Sequence, residues 1–248
     1  MMFTKYMVVV SGDINIRNYK ELLMHIFSNA DLTHDLIFSH GPLDVLDHSS
    51  DNFSFGGKLG IDATVKLVEE ILIKDKIEDS DGYDPSIISG DFIDRKIIKD
   101  FSLSLLKAGA PLIIVSVNRS EDADVIGKIG DMFRTSDTES IFRLILVVDH
   151  TVDVNDLFMV SWQLLGNSDP QRDHEYISSR SLLIDGTIKA YRKEGFSRKW
   201  PNVVCSDIGT IAAVDQKWNS LGIGEVINSP SAKYLRLCRT GTDEILIG

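Results

Sequence analysis

The 248-residue chain has only two cysteines, Cys205 and Cys238, with no C-x-x-C pair and no metal-ligand spacing. A disulfide framework and a cysteine-built zinc module are therefore excluded, and reduced thiols are the expected state, with a disulfide between the two as the lesser alternative. Positive charge is short as well. Lys and Arg number 26 against 37 Asp and Glu, a formal net charge of -11. Such a field repels polyanions, so neither nucleic acid nor an anionic membrane surface is the expected partner. Long apolar runs are missing. The first twenty residues carry Lys5, Asp13 and Arg17 around one short apolar stretch, which makes neither a secretory leader nor a membrane span, and the expected location is the cytoplasm. There is also no Gly-x-Ser-x-Gly element, no P-loop spacing and no Cys-His pairing, so nothing supports a nucleophilic hydrolase.

What is present is a repeat. An offset of 138 positions lays Asn15 to Asp35 on Asp153 to Asp173 without a gap, and sets Val9 and Val10 on Val147 and Val148. Asn29, Asp31 and Asp35 then meet Asn167, Asp169 and Asp173. Tyr19, Leu22, Ile26 and Phe27 meet Leu157, Val160, Leu164 and Leu165, the spacing of one helix face. At an offset of 123, Ile61-Asp62-Ala63-Thr64-Val65-Lys66 meets Ile184-Asp185-Gly186-Thr187-Ile188-Lys189. Two signatures in the same order, with matching periodicity, indicate an internal duplication.

The element pattern is that of an α/β protein. Valine-rich Met7 to Val10, Leu36 to Ser39, Pro111 to Val117 and Ile141 to Val148 read as strands. Helices are expected after Gly12 to Asn18, where Asn18 and Glu21 have capping-box spacing, from Asp62 to about Lys76, from about Asp91 to Lys107, from Ser120 to about Phe133, and from about Asp207 to Ser220. Gly41 to Gly60 reads as a long polar loop and Glu78 to Pro85 as a linker. The fold expected is two related, layered α/β lobes, each a mostly parallel or mixed sheet flanked by helices. Residues 1–85 form the first copy, 86–140 a connecting helix-strand-helix segment that completes the second lobe, and 141–248 the second copy with its tail.

Candidate sites are few. Gly56-Gly57-Lys58-Leu59-Gly60 could present backbone N–H groups to an anion, but it lacks P-loop spacing, and a turn entering a helix is the plainer reading. His25, His34, His40 and His48 cluster in the first copy without a ligand spacing. Asp44, Asp47 and Asp51 could hold a hard cation, against the plainer reading of a solvated loop. Gly222-Ile223-Gly224 lacks the flanking elements of a dinucleotide fingerprint. The basic run from Lys189 to Lys199 suits an anionic ligand or acidic partner surface less well than a solvated or interface face.

Three stretches of the first copy carry a family resemblance: Met2-Phe3-Thr4-Lys5-Tyr6-Met7-Val8-Val9-Val10 with Asp13-Ile14-Asn15, Gly41-Pro42-Leu43-Asp44-Val45-Leu46-Asp47-His48, and Gly57 to Thr64. In the second copy it continues through Asp169-Pro170-Gln171-Arg172-Asp173, Asp185 to Lys189 and Trp200-Pro201-Asn202. Together these resemble the C-terminal domain of the UbiD-type (polyprenyl-hydroxybenzoate) decarboxylases, which use prenylated FMN. The duplicated arrangement is most similar to the longer, menaquinone-pathway members. The chain departs from the family at Ser11-Gly12-Asp13, at Met24 in place of a tryptophan, and at Asp31-Leu32-Thr33-His34-Asp35, so the first copy is the more degraded.

In the family the flavin domain, with its metal ligands and proton-transfer residues, precedes the matched region. The resemblance therefore implies no catalytic residue and no metal ligand here. It implies one cofactor contact, Lys5, where the family places a lysine near the cofactor phosphate; the plain alternative is a solvated lysine. Two functions follow as expectations. One is the scaffold and oligomerisation portion of a decarboxylase acting on an aromatic or unsaturated carboxylic acid in quinone biosynthesis, inactive alone, binding no cofactor by itself, and partnered by a flavin-domain subunit or N-terminal domain. The other is a stand-alone, non-catalytic, self-associating relative. An independent enzyme with Gly41 to Gly60 as a lid ranks last. A homo-oligomer is expected in which Trp200, Trp218 and Tyr234 contribute contacts.

Overall fold

The computed structural model describes residues 3–71, 93–136, 138, 141–189, 200–238 and 244–245. The first lobe opens with strand β1 (Tyr6–Val10), helix α1 (Tyr19–Asn29), and strands β2 (Leu36–Pro42) and β3 (Phe55–Ala63), followed by one helical turn, α2 (Val68–Ile71). Its sheet has the order β1-β3-β2, with β1 parallel and β2 antiparallel to β3. The second lobe contains β4 (Ile98–Ser102), a short α3 (Ser104–Lys107), β5 (Leu112–Val117), α4 (Val125–Thr135), β6 (Leu144–Asp149), α5 (Leu157–Asn167), β7 (His174–Tyr176) and β8 (Leu182–Asp185). Its five-stranded sheet runs β4-β5-β6-β8-β7. A two-stranded pair of β9 (Trp200–Pro201) and β10 (Glu244–Ile245), helix α6 (Ile208–Leu221) and a 3-10 helix (Pro230–Leu237) follow.

The duplication is visible in the hydrogen-bond register. β6-β8-β7 repeats β1-β3-β2 in order and direction, and Val9 opposite Asp62 is matched by Val147 opposite Asp185. The helices repeat too. The Asn18 side chain accepts the N–H of Glu21 at 3.3 Å to cap α1, and the Asp156 side chain accepts that of Met159 at 3.0 Å to cap α5. Glu21 returns to the side-chain amide of Asn18 at 3.1 Å, so the expected capping box closes through side chains. Within the paired helix positions, Phe27, Val160 and Leu164 are buried, while Tyr19 and Leu157 lie exposed at the helix starts.

Two helix expectations fail. Asp62 does not start a helix; it belongs to β3, where Asp35 O accepts its N–H at 2.9 Å and Val9 lies opposite. The glycines at 56, 57 and 60 hid this strand, because glycine has poor strand propensity and is tolerated where another backbone approaches closely. As a consequence the expected Gly41 to Gly60 loop is confined to residues between β2 and β3. From residue 93 on, the expected Asp91 to Lys107 helix contains instead β4 and a single turn, because Ile98 to Ser102 pair with β5 across a register shift and bury Ile98 and Ser102. The linker at Glu78 to Pro85 and the basic stretch beyond Lys189 lie outside the described residues.

The core is built in two clusters. Val115, Val117, Val125, Ile129, Phe133, Ile145, Val147 and Leu183 pack α4 on one face of the second sheet. On the other face, Ile114, Val148, Met159, Val160 and Leu164 meet Phe27 and Leu32 of the first lobe, so this cluster spans both lobes. Apolar burial at about 25 cal/mol per Å² is the main force joining them.

Candidate functional site at the seam between the lobes

The two repeated signatures form one device. In the second lobe Asp169 Oδ1 accepts the N–H of Gln171 at 3.0 Å, and Asp173 Oδ2 accepts that of Asp169 at 2.7 Å. Asp185 then donates its N–H to Asp173 O at 2.8 Å, and its carboxylate accepts Thr187 N at 2.9 Å and Thr187 Oγ1 at 2.6 Å. Lys189 closes the device, with Nζ 3.6 Å from Asp173 and 3.3 Å from Asp185. The first lobe repeats it. Asp31 and Asp35 close the same turn, Thr64 donates to Asp62 at 2.9 and 2.7 Å, and Lys66 stands 3.4 Å from Asp35 and 2.9 Å from Asp62. Short aspartate side chains bond their own backbone two residues on, which sets these tight turns, and the lysine neutralises the paired carboxylates.

The copies differ in how deeply this device is placed. Asp185 is buried; burial pushes its carboxyl up, but Lys189, Arg119 and the Thr187 hydrogen bonds outweigh that and hold it low. Arg119, 4% exposed, reaches Asp185 at 3.2 Å and Thr187 Oγ1 at 2.9 Å from the loop after β5. In the first lobe the Thr64 hydrogen bonds, followed by the Lys66 contact, hold the Asp62 carboxyl down to about 2.

The lobes interlock through polar contacts at this level. Gly57 donates its N–H to Asp169 Oδ2 at 2.9 Å, and an added Cβ would collide at either glycine, with Ser50 and Asp169 at Gly56 and with Asp169 and Gln171 at Gly57. The glycine stretch does offer backbone N–H to an anion, and the anion is a carboxylate of the same chain. Tyr6 Oη and Ser168 Oγ are 2.5 Å apart, Arg143 donates to the carbonyls of Phe27 and Ala30 at the end of α1, and Arg172 bridges Asp173 and Asp51, each at 2.6 Å. Phe38 stacks on His174 with centroids 4.2 Å apart. Lys5 and Arg143 are repeat equivalents, each standing at the entry to the equivalent strand, β1 or β6; Lys5 ties it to the loop after β2 and Arg143 ties it to the end of α1.

Lys5 sits within this seam, its side chain 10% exposed. Its Nζ lies 2.8 Å from Asp47 and donates to Ser49 Oγ at 2.8 Å. Burial lowers its pKa despite the carboxylates of Asp47, Asp169 and Asp173. For Asp47, burial raises the carboxyl, and Lys5 and Ser49 more than reverse this. As arranged, the residues around Lys5 do not fit a phosphate dianion, which would have to displace Asp47 and lie near two further carboxylates.

The other candidates are dispersed. His34 pairs with Asp31 at 3.1 Å, His40 stacks near Phe55, and His48 meets Asn167 at 3.3 Å and the edge of Trp200. His25 is within 3.3 Å of the Asn29 amide, and its Nε2 is buried without a partner among the described residues. Asp44 caps the turn to Leu46, Asp47 serves Lys5, and Asp51 serves Arg172. Among the described residues, no group of three or more His, Cys, Asp or Glu is placed to hold a metal ion. A cavity of about 290 Å³ opens beside His48, between Leu46, Trp162, Asn167 and Trp200.

Trp200 is 1% exposed, so it packs the seam and cannot anchor a partner, which corrects that part of the expected interface. Trp218 donates Nε1 to Gly224 O and Glu225 O, and Tyr234 packs edge-on against Trp162. Cys205 and Cys238 meet with Sγ atoms 3.1 Å apart, a proximity their sequence separation did not reveal.

Comparison with known proteins places these features. The family described as 3-octaprenyl-4-hydroxybenzoate carboxy-lyase C-terminal domain matches residues 1–63 and 87–190, well over half of the chain. An uncharacterized protein of Helicobacter pylori is 29% identical over 210 residues, covering 81% of this chain and 31% of that protein. A protein of Aquifex aeolicus is 41% identical over 70 residues, 28% of this chain and 14% of its own length. The chain thus spans about a third of the length of the Helicobacter relative. Among solved structures, an evolved dimeric form of the UbiD-class enzyme HmfF from Pelotomaculum thermopropionicum in complex with prFMN aligns over 46% of this chain and 24% of its own, with a TM-score of 0.33 and 22% identity. The vanillic acid decarboxylase of Sedimentibacter hydroxybenzoicus aligns over 51% and 29%, with a TM-score of 0.33 and 14% identity.

Proposed function

Because the chain belongs to the 3-octaprenyl-4-hydroxybenzoate carboxy-lyase C-terminal domain family, we propose that it is the duplicated scaffold portion of a UbiD-type decarboxylase. The whole enzyme acts on an aromatic or unsaturated carboxylic acid in quinone biosynthesis, in the cytoplasm. Prenylated FMN supplies the electron sink for loss of carbon dioxide and is held by a flavin domain outside residues 1–248. This chain contributes rigidity and assembly contacts and is inactive alone.

The observation that carries this reading is how the seam uses its charged groups. Lys5 is matched by Asp47, Lys189 by Asp173 and Asp185, Arg172 by Asp51 and Asp173, and the Gly57 N–H by Asp169. Two of these contacts, Arg172 with Asp51 and the Gly57 N–H with Asp169, cross between the lobes, and groups matched this closely have little capacity left to move a proton or bind an anion. Lys5 would meet a cofactor phosphate only by exchanging Asp47 for it, so the isolated chain retains no flavin.

The test is to purify the chain, record its visible absorbance, and assay carbon dioxide release before and after mixing with a flavin-domain polypeptide of the same family. No flavin absorbance, no activity alone and activity on mixing are expected. Flavin co-purifying with the chain, or decarboxylation without the second component, would overturn the reading.

Self-association is part of the same proposal. Helix α6 has no buried residue, and Ile208, Leu221, Ile223, Val226 and Ile227 around it are more than half exposed. An amphipathic helix with no core of its own to cover is suited to packing against another copy. Light scattering at micromolar concentration should report a species larger than the 27.7 kDa monomer.

A further inference from the structure

The two copies share one sheet pattern but differ at one edge. In the second lobe β6 is flanked by β5, parallel and in register from Leu112 opposite Leu144 to Val117 opposite Asp149, and α4 packs Val125, Ile129 and Phe133 over the same face. In the first lobe β1 pairs with β3 on one side and with no described strand on the other. The burial of equivalent residues follows this difference. Ile145 and Val147 are 1% and 0% exposed; their counterparts Met7 and Val9 are 37% and 46% exposed, and Val8 between them is 40% exposed. Ile37, in line with Met7 across Gly60, is 68% exposed.

The charged device is incomplete at the same place. Arg119, which completes the set around Asp185 and Thr187, enters from the loop joining β5 to α4. Among the described residues Asp62 has only Lys66 as a cation, and its side chain is 42% exposed against 10% for Asp185. An open edge of valines, an open apolar face and a carboxylate with no second cation among the described residues thus coincide, and in the second lobe one strand-loop-helix unit covers all three.

We propose that the β1 edge of the first lobe is a docking surface for a strand-helix segment of polypeptide outside residues 1–248, patterned like Leu112 to Thr135. Its strand would add parallel to β1, its helix would cover Met7, Val9 and Ile37, and a basic residue two positions after the strand would reach Asp62. The second lobe supplies the template, and the Helicobacter relative, of which this chain spans about a third, contains ample further chain. A second copy fits less well: its β5 is already committed to β4 and β6, and pairing β1 with β1 would cover the edge without covering the face or bringing a cation to Asp62. The inference rests on the repeat and is independent of any decarboxylase chemistry.

The test uses the 248-residue protein with a synthetic peptide spanning Pro111 to Ser136 as the probe. Hydrogen exchange at residues 6–10 is followed as the peptide is added. Saturable slowing of about tenfold or more is expected, because amides facing the open edge exchange freely with solvent, whereas paired ones exchange only through opening. The slowing should vanish in a Met7→Lys, Val9→Lys double variant, which leaves the free protein folded because both side chains are exposed, and it should weaken when the peptide carries Arg119→Glu. No slowing, or slowing that the double variant retains, would overturn the proposal. So would protection of residues 6–10 that grows with protein concentration in the absence of peptide, since the occupant would then be a second copy.

Discussion

Replacing Gly57 with alanine tests the seam directly. The Gly57 N–H is donated to Asp169 Oδ2 at 2.9 Å, and a Cβ at this position would overlap Asp169 Oδ1 and approach Gln171 N at 2.8 Å and Gln171 Cβ at 2.9 Å. Asp169 cannot swing aside cheaply, because Oδ1 also accepts Gln171 N at 3.0 Å and Arg172 N at 3.3 Å, and its own N–H is held by Asp173. Losing a hydrogen bond to a charged acceptor costs about 1.5–3 kcal/mol. Overpacking a fitted interior adds about 1–3 kcal/mol. Together Gly57→Ala should destabilise the protein by about 3–5 kcal/mol, a large part of the ~5–15 kcal/mol that a folded domain has in total. Urea titration should show the midpoint falling by about 1.5–2.5 M at an ordinary slope of ~2 kcal/mol per M. Gly60→Ala, where the nearest atoms are 3.8 Å away, is the control from the same strand and should shift stability by no more than about 0.5 kcal/mol. Equal effects of the two substitutions would refute the account of why glycine stands at position 57.

Three further outcomes follow from the same geometry. Arg119→Met removes a buried cation from Asp185 and Thr187 while Lys189 remains, and should cost about 3 kcal/mol by thermal or urea unfolding; a neutral result would mean that Lys189 alone suffices. In acid, Asp31 and Asp62, both held down to about 2, contribute stability that is fully present above the unfolded carboxylate value of about 3.9 and is lost as pH falls through about 2. Asp62→Asn should therefore flatten the fall in melting temperature between those two values, and an unchanged slope would count against the pairing with Thr64 and Lys66. Oxidation should join Cys205 to Cys238 and close a loop of 33 positions, which chain entropy values at about 4 kcal/mol for the tail it ties down. Since burial and Cys205 push the Cys238 thiol up to about 11, the reaction should quicken as pH rises, and mass spectrometry showing no intramolecular bond under oxidant would refute it.

Much of this fold can be read from residue order. The valine runs at β1, β5 and β6, the cap at Asn18, the helix start near Asp207, and the two offsets of the repeat are local patterns, and each appears in the structure where the pattern placed it. Local patterning failed where a strand is built from glycine, as in β3, and where a one-turn helix after a short strand resembled a longer helix, as in β4 and α3. In both cases long-range packing overrode the local preference. The site is less legible than the fold. That Asp173, Asp185 and Lys189 form one cluster could have been inferred from the two signatures recurring together, but nothing local indicates that Arg119 completes it.

The sequence by itself determines that the chain is a repeated α/β protein with acidic turns, because helix and strand periods and Asx turns depend on neighbours a few positions away. Only the tertiary structure decides what those residues meet. It pairs Lys5 with Asp47, Gly57 with Asp169 and Cys205 with Cys238, buries Trp200, and leaves Met7 and Val9 open where Ile145 and Val147 are covered. These outcomes depend on which distant surfaces come within a few ångströms once two similar halves pack together, and no short stretch of sequence encodes that distance.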